Sequence, residues 1–236
     1  MRYDFYVYQH PSYALGNFVN CTPTIKRLYD KLGKPIPVLF GTRYVADAYR
    51  DCEYIEHIDR PNGKRLFGSD MICRDNKMPD YEYIQSQVLG RPFSNEGFIP
   101  VDEIYRPALE DLRYRVIACG SGNPDPKYVD GKTPPLEILM KEVEGSPVPV
   151  IFVGSEEDYH RAKPLADLCY ERAIGNIRAC VTTIALCEMF IGNDTGFAHV
   201  AGVLKKPMRV YWKDTKFPKN ANTNLECEYI FKNKWQ

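Results

Sequence analysis

The residues best suited to chemistry lie between 188 and 212. Asn193, Asp194, Thr195 and Gly196 follow a short apolar run, Met189 to Gly192, and His199 comes one helical turn later. The run reads as a buried strand, as does Met208 to Trp212 beyond it, so the two bracket a short helix. Asn193 to Gly196 then fall where the carboxyl end of a strand meets the amino end of a helix. There the unpaired backbone N–H groups and the positive end of the helix dipole favour an anion such as a phosphate. Asp194 or Thr195 can cap the helix, Gly196 lets a ligand or another backbone come close, and His199 lies near the same mouth. The same residues also describe a plain capped turn with a satisfied helix histidine, because caps are far commoner than phosphate sites.

The segment Ile191-Gly192-Asn193-Asp194-Thr195-Gly196-Phe197-Ala198-His199-Val200-Ala201-Gly202, followed by Lys206-Pro207, resembles the signature of the heptosyltransferase-type glycosyltransferases, glycosyltransferase family 9. The resemblance is strongest over 189–207, moderate over 14–32 and 115–127, and weak over 59–113. It implies an α/β fold of two Rossmann-like units facing a cleft, the GT-B arrangement. The implied reaction is inverting transfer of a sugar from a nucleotide-sugar donor, with neither a bound metal nor any cofactor. Protein groups must then hold the leaving diphosphate: amides at Thr195 and Gly196, a lysine, and His199, with Asp194 orienting the loop or binding donor hydroxyls. The family's glycine-containing donor loop is matched by Gly120-Ser121-Gly122 with Lys127 downstream, and Gly154 is placed with them on the donor side. A lysine in a loop is otherwise ordinary surface.

On the acceptor side the family carries Gly-Asp ahead of a Pro-containing helix, and the aspartate is the general base. Gly16 and Pro23 match, but the aspartate position is Asn17. An amide accepts no proton at neutral pH. Three roles stay open: Asn17 hydrogen-bonds the acceptor, a neighbour such as His10 takes the proton, or Asn17 is only an N-cap. The resemblance implies a lipopolysaccharide-core saccharide as acceptor. A short version with Asn17 also resembles phage-encoded relatives, for which a modified base in DNA is a candidate acceptor.

The elements that must position these residues alternate. Strands are expected at 2–8, 36–40, 53–58 and 66–73, with helices at 17–33, 43–50 and 81–89 and a linker helix over 100–113. A second unit follows, with strands at 114–119, 148–153, 176–179, 189–192 and 208–212 and helices at 134–143, 156–170 and 182–188. Such alternation argues a parallel sheet, whose ligands sit beyond the strands' carboxyl ends. The expected domains are an acceptor-side unit (1–113), a donor-binding unit (114–215) and a tail (216–236) returning to the first unit, with Trp235 as its anchor. The G-x-G at 120–122 is weak evidence for a dinucleotide site, because Pro124 and Pro126 spoil the tight turn such a site needs. The missing G-x-G-x-x-G after the first strand disfavours a nicotinamide-dependent oxidoreductase, whereas a non-catalytic nucleotide-sugar binding module stays open because of Asn17.

Composition narrows the class. The 236 residues, 44% hydrophobic and 26% charged, suit an ordinary globular protein. No run is long enough for a membrane span, and Asp4 stands where a signal peptide would carry its apolar core, so a cytoplasmic protein is expected. The eight cysteines include no C-x-x-C pair, which predicts reduced core thiols rather than disulfides or a structural metal. The net charge is zero, yet Lys205, Lys206, Arg209, Lys213, Lys216 and Lys219 cluster against Asp214 alone. That stretch is either a solvated edge or a surface for an anion, and it is the one concentrated candidate for a DNA backbone.

Overall fold

A computed structural model describes residues 4–12, 15–71, 78–105, 107, 111–120, 133–212 and 227–234. The candidates Ser121 and Lys127, the basic residues Lys213, Lys216 and Lys219, and Trp235 lie outside the described residues. The chain divides into two α/β units, one running to Pro100 and one starting at Val101.

The first unit contains β1 (Phe5–Gln9), α1 (Leu15–Val19), α2 (Thr22–Leu32), β2 (Ile36–Phe40), α3 (Arg43–Ala48), β3 (Ile55–His57), β4 (Lys64–Gly68) and α4 (Asp80–Val88). Its strands are all parallel, in the order β3-β2-β1-β4. Val7, Val38 and Phe67 from the sheet and Phe18 and Ile25 from the helices are buried together, the expected fate of apolar residues on strands covered by helices. The single helix expected over 17–33 is two. Pro23 has no N–H to give and clashes with a carbonyl four residues back, so it is tolerated only in the first turn of a new helix, where it is found. Gly33 ends α2 in the left-handed region, at φ 66°. Asn17 is the third residue of α1, and the cap of α2 is Cys21. The N-cap reading of Asn17 is therefore overturned.

Gln9, fully buried at the end of β1, fastens the loops at the sheet's carboxyl edge. Its Oε1 accepts from the N–H groups of Gly41 (3.0 Å) and Thr42 (3.0 Å) and from the Thr42 hydroxyl (3.2 Å), while its Nε2 donates to the His10 carbonyl (2.7 Å). A Cβ on Gly41 would stand 2.6 Å from the Gln9 carbonyl oxygen, so only glycine lets the two loops approach this closely. Replacing Gln9 with leucine keeps the bulk and leaves the half-buried Thr42 N–H and hydroxyl without their acceptor, while the Gly41 N–H keeps the Gln9 backbone carbonyl at 2.8 Å. A stranded group costs roughly 1–3 kcal/mol, and less where water can reach it. The expected result is a first unit destabilised by about 1 kcal/mol, read as faster hydrogen exchange over 36–42, and unchanged exchange there would contradict it.

The second unit opens with a 3₁₀ turn (Glu103–Tyr105). It continues with β5 (Arg115–Ala118), α5 (Leu136–Glu144), β6 (Val150–Gly154), α6 (Glu156–Arg161), α7 (Lys163–Leu168) and β7 (Glu171–Ile174). It ends with α8 (Ile177–Leu186), β8 (Met189–Asn193), α9 (Gly196–Val203), β9 (Met208–Trp212) and β10 (Cys227–Phe231). The six strands are parallel, in the order β10-β9-β8-β5-β6-β7. The chain leaves β5 for β6 and β7 on one side, then crosses back to lay β8, β9 and β10 on the other. That is the strand order of a dinucleotide-binding Rossmann sheet, and the first unit repeats its first four steps. One core cluster joins Ile117, Phe152, Ile191 and Tyr211 of the sheet to Leu139, Leu165 and Ala166 of the covering helices.

Several expectations fail here for identifiable reasons. The strand expected at 176–179 lies at 171–174, because Gly175 takes φ 72° and Asn176 caps α8, accepting from the N–H groups of Arg178 (3.0 Å) and Ala179 (3.2 Å). The helix expected over 156–170 is split at Ala162, since Pro164 can stand only in a first turn. Of the linker helix expected over 100–113, the described residues hold only the 3₁₀ turn. Asp102 belongs with the second unit: its N–H donates to the Thr182 hydroxyl (3.2 Å), its carbonyl accepts from it (2.9 Å), and its carboxylate pairs with Arg178 (2.7 Å). The unit boundary accordingly follows Pro100 rather than residue 113. Within the expected tail, the described residues Cys227–Phe231 pair with β9 as the sixth strand of the second sheet. No helix among the described residues is long and apolar enough to cross a membrane.

Candidate functional site

In a doubly wound sheet, two neighbouring strands send their following helices to opposite faces at the switch point, which leaves a crevice beyond their carboxyl ends. In the second unit that point lies between β5 and β8. Gly120 follows β5, and Asn193, Asp194 and Thr195 follow in turn from β8. Asn193 is fully buried and braces the two strand ends. Its Nδ2 donates to the Gly120 carbonyl (3.1 Å) and the Thr133 hydroxyl (3.3 Å), and its Oδ1 accepts from the Gly120 N–H (3.4 Å).

Thr195 caps α9, its hydroxyl accepting from the Ala198 N–H (3.4 Å), so Thr195 rather than Asp194 is the cap. Gly196 and the next residue open the helix, and by helix geometry their N–H groups have no intrahelical carbonyl to reach. Asp194 is half-buried ahead of them, and His199 Nε2 stands 3.9 Å from its Oδ1. Gly196, Thr195, Asp194 and His199 are thus brought to one helix mouth. A positive helix end, a carboxylate and an imidazole placed together there can hold a diphosphate and the hydroxyls beside it.

Gly120 and Gly154 border the same crevice through one buried carboxylate. Ser155 and Asp158 form a reciprocal cap at the start of α6: the Ser155 hydroxyl accepts from the Asp158 N–H (3.1 Å) and donates to Asp158 Oδ2 (2.8 Å), which also accepts from the Ser155 N–H (3.1 Å). The Asp158 side chain lies against both glycines. A Cβ on Gly154 would be 3.1 Å from Asp158 Cβ and 3.0 Å from the Phe152 ring, and one on Gly120 would overlap the Asp158 carboxylate. Asp158 is a positioning residue that local sequence reading does not reveal, and for Asn193 it reveals the place in the turn but not the brace to Gly120. The signal available for Asp158 was the Ser-x-x-Asp spacing after a strand-ending glycine.

The first unit has its own switch point, between β1 and β4. His10 follows β1, and its N–H donates to the Ser69 hydroxyl (2.9 Å) beyond β4. His10 Nδ1 accepts from the Ser12 N–H (3.1 Å), which leaves the proton of the neutral ring on Nε2. In this arrangement the lone pair that a proton acceptor needs is engaged. Asn17 is half-buried one turn into the helices that follow, and its carbonyl accepts from the Cys21 thiol (3.6 Å). His10 and Asn17 thus belong to the first unit, and the donor-side candidates to the second.

Two further groups need placing. Burial pushes the thiols of Cys119, Cys169, Cys180 and Cys187 up to about 12, so they stay protonated and serve as packing rather than as nucleophiles. Among the described residues no three His, Cys, Asp or Glu side chains converge as a metal site would need. In the basic stretch, Arg209 is held by Glu142 (2.8 Å) and Glu228 (2.7 Å), which takes it off any phosphate-binding surface.

No family model matches the chain, and no curated protein matches it by sequence. Solved structures match it in fold. The glycosyl transferase family 9 protein from Veillonella parvula aligns with 98% of this chain and 86% of its own at TM-score 0.73 and 13% identity. The ADP-heptose lipopolysaccharide heptosyltransferase II of E. coli covers 97% of this chain and 90% of its own at TM-score 0.70 and 12% identity. E. coli heptosyltransferase WaaC with ADP covers 96% and 93% at TM-score 0.68 and 12% identity. The fold of this chain is therefore that of the family 9 glycosyltransferases and the heptosyltransferases, the α/β fold of two Rossmann-like units that its sequence led us to expect.

Proposed function

We propose that the chain is a glycosyltransferase that moves a sugar from a nucleotide-sugar donor to a hydroxyl acceptor, with inversion and without a bound metal. The observation that carries this reading is the switch point of the second unit. Asn193 locks the ends of β5 and β8 together there, and the start of α9 is set beside Asp194 and His199. The α9 amides stabilise the diphosphate as it leaves, the task a cation performs elsewhere, and Asp194 holds donor hydroxyls. The second unit is the donor-binding one, the first presents the acceptor, and the acceptor class is a saccharide or a modified base in DNA. With Arg209 taken by two glutamates, the saccharide is favoured.

Incubating the chain with UDP-glucose, GDP-mannose and ADP-heptose, with either a lipopolysaccharide-core oligosaccharide or hydroxymethylated DNA, should add one hexose or heptose mass to one acceptor. Binding of a nucleotide sugar without turnover on either would instead favour a non-catalytic binding module, a reading that the engaged Nδ1 of His10 and the amide at Asn17 keep in play. At the donor site, Asp194→Ala is expected to weaken nucleotide-sugar binding by about 10-fold, the effect of losing one charge-assisted hydrogen bond. Calorimetric titration checks this, and an unchanged dissociation constant would remove Asp194 from the site.

A further inference from the structure

We infer that Asp70, beyond the carboxyl end of β4, is the group that takes the proton from the acceptor hydroxyl. This inference rests on the transferase reading above. Inverting transfer requires the acceptor oxygen to bond to the anomeric carbon while the bond from that carbon to the diphosphate oxygen breaks. The electron pair of the broken bond leaves with the diphosphate, and the hydroxyl proton must go to a base. The first unit's two other candidates do not supply one: Asn17 is an amide, and His10 Nδ1 already accepts from Ser12.

Asp70 stands where a base belongs. It lies two residues past β4, at the switch point where β1 and β4 part, next to Ser69, which holds the His10 backbone. Among the described residues, the other carboxylates that follow strands at or near that edge are poorly placed. Asp59 follows β3 at the outer side of the sheet, and Asp80 is almost wholly buried in the first turn of α4. Asp70 keeps 27% of its side chain exposed, enough to meet a substrate and little enough to be held in place.

The surrounding geometry holds it. The pairing of β4 with β1 slips between Tyr6 and Val7, where Arg65 faces Tyr6 but Phe67 faces Val7, so β4 carries an extra residue at Leu66. Such a bulge re-aims the side chain beside it. Arg65 is thereby turned over the Tyr8 ring, 5.2 Å from its centroid, and its guanidinium pairs with the Asp70 carboxylate. Gly68 leaves the space for this pair: a Cβ there would be 2.8 Å from Asp70 Oδ1 and 2.5 Å from Arg65 Nη2. The Tyr8 ring in turn packs edge-on against His10, at 5.7 Å. Burial first, then the charges of Asp70 and Asp80, push the Cys21 thiol up, which places Asp70 near the start of α2 and the Asn17 carbonyl that Cys21 reaches.

Asp70→Asn keeps a hydrogen-bonding partner for Arg65 and removes the base. With whichever of UDP-glucose, GDP-mannose and ADP-heptose the wild-type chain turns over, kcat should fall at least about 100-fold. The dissociation constant for that nucleotide sugar should stay within about 2-fold, and the acid limb of the pH–rate profile should disappear. A purely structural Arg65–Asp70 pair would leave the shape of that profile intact. If the amide variant fails to fold, Asp70→Glu decides: it keeps the carboxylate and should retain about a tenth of wild-type kcat or more, and complete loss in a folded Asp70→Glu overturns the inference. Wild-type turnover with Asp70→Asn still within about 3-fold of it sinks the inference alone, whereas no turnover by the wild-type chain sinks the transferase reading with it.

Discussion

Gly120→Ala is expected to destabilise the second unit by about 3 kcal/mol, the upper end of what overpacking a filled site does, and to abolish nucleotide-sugar binding. Two effects combine. Gly120 adopts φ 156°, a backbone conformation that residues with a side chain rarely take, and an added Cβ would overlap the Asp158 carboxylate. Asp158 cannot yield easily, because it caps α6 through Ser155. If the overlap is the cause, Asp158→Ala, which by itself should lose about 1 kcal/mol of capping, will partly relieve Gly120→Ala. The double variant should then be less destabilised than the sum of the two by about 1 kcal/mol or more. Denaturant unfolding followed by tryptophan fluorescence measures this, since Trp212 lies on β9 in the same sheet and the first unit has no tryptophan. Simple additivity would show that the φ of Gly120, not Asp158, carries the effect.

How much of this was legible in the sequence depends on the range over which the signal acts. Parallel strands buried on both faces are short apolar runs, so β2 and β9 are found at the residues expected, and β5 and β6 within two residues of them. Pro23 and Pro164 act locally as well, yet each is hidden inside a longer periodic stretch, because a helix start within an apolar run gives no break in periodicity, and Asn176, the cap of α8, reads as the start of a short strand. Glu171-Arg-Ala-Ile was passed over because its two charges mask a strand, although it lies at the edge of the sheet, where polar side chains reach water. At the candidate site, the Asn193 to His199 run was readable because a strand, a turn and a helix start are contiguous in sequence. The Asn193 brace to Gly120, the Asp158 cradle under that glycine and the Arg65–Asp70 pair over Gly68 were not. Each joins strand ends brought together only by the crossover, or depends on one inserted residue in β4 that no pattern of residue types announces.

The Asn193 brace yields the second large effect, and pH separates its parts. Asn193→Leu removes both hydrogen bonds to Gly120 at once and should destabilise the second unit by about 2 kcal/mol at every pH, because the half-buried Gly120 N–H and carbonyl both lose the partner that ties β5 to β8. Asn193→Asp behaves differently. Its carboxylate can still accept from the Gly120 N–H, but it would face the Gly120 carbonyl oxygen with a negative charge at a fully buried position. Burial and that carbonyl raise the carboxyl pKa in the folded chain above the value of about 3.9 in the unfolded one. The folded state therefore binds more protons than the unfolded state between the two values, and stability falls as pH rises through that window. Below it, the protonated carboxyl donates to the Gly120 carbonyl much as the amide does, and the variant should approach wild type. Above it, the loss should reach about 4 kcal/mol, the range for an uncompensated buried charge. Equal losses for Asn193→Leu and Asn193→Asp across pH 4 to 8 would show that Asn193 is held by packing alone and does not tie β8 to β5.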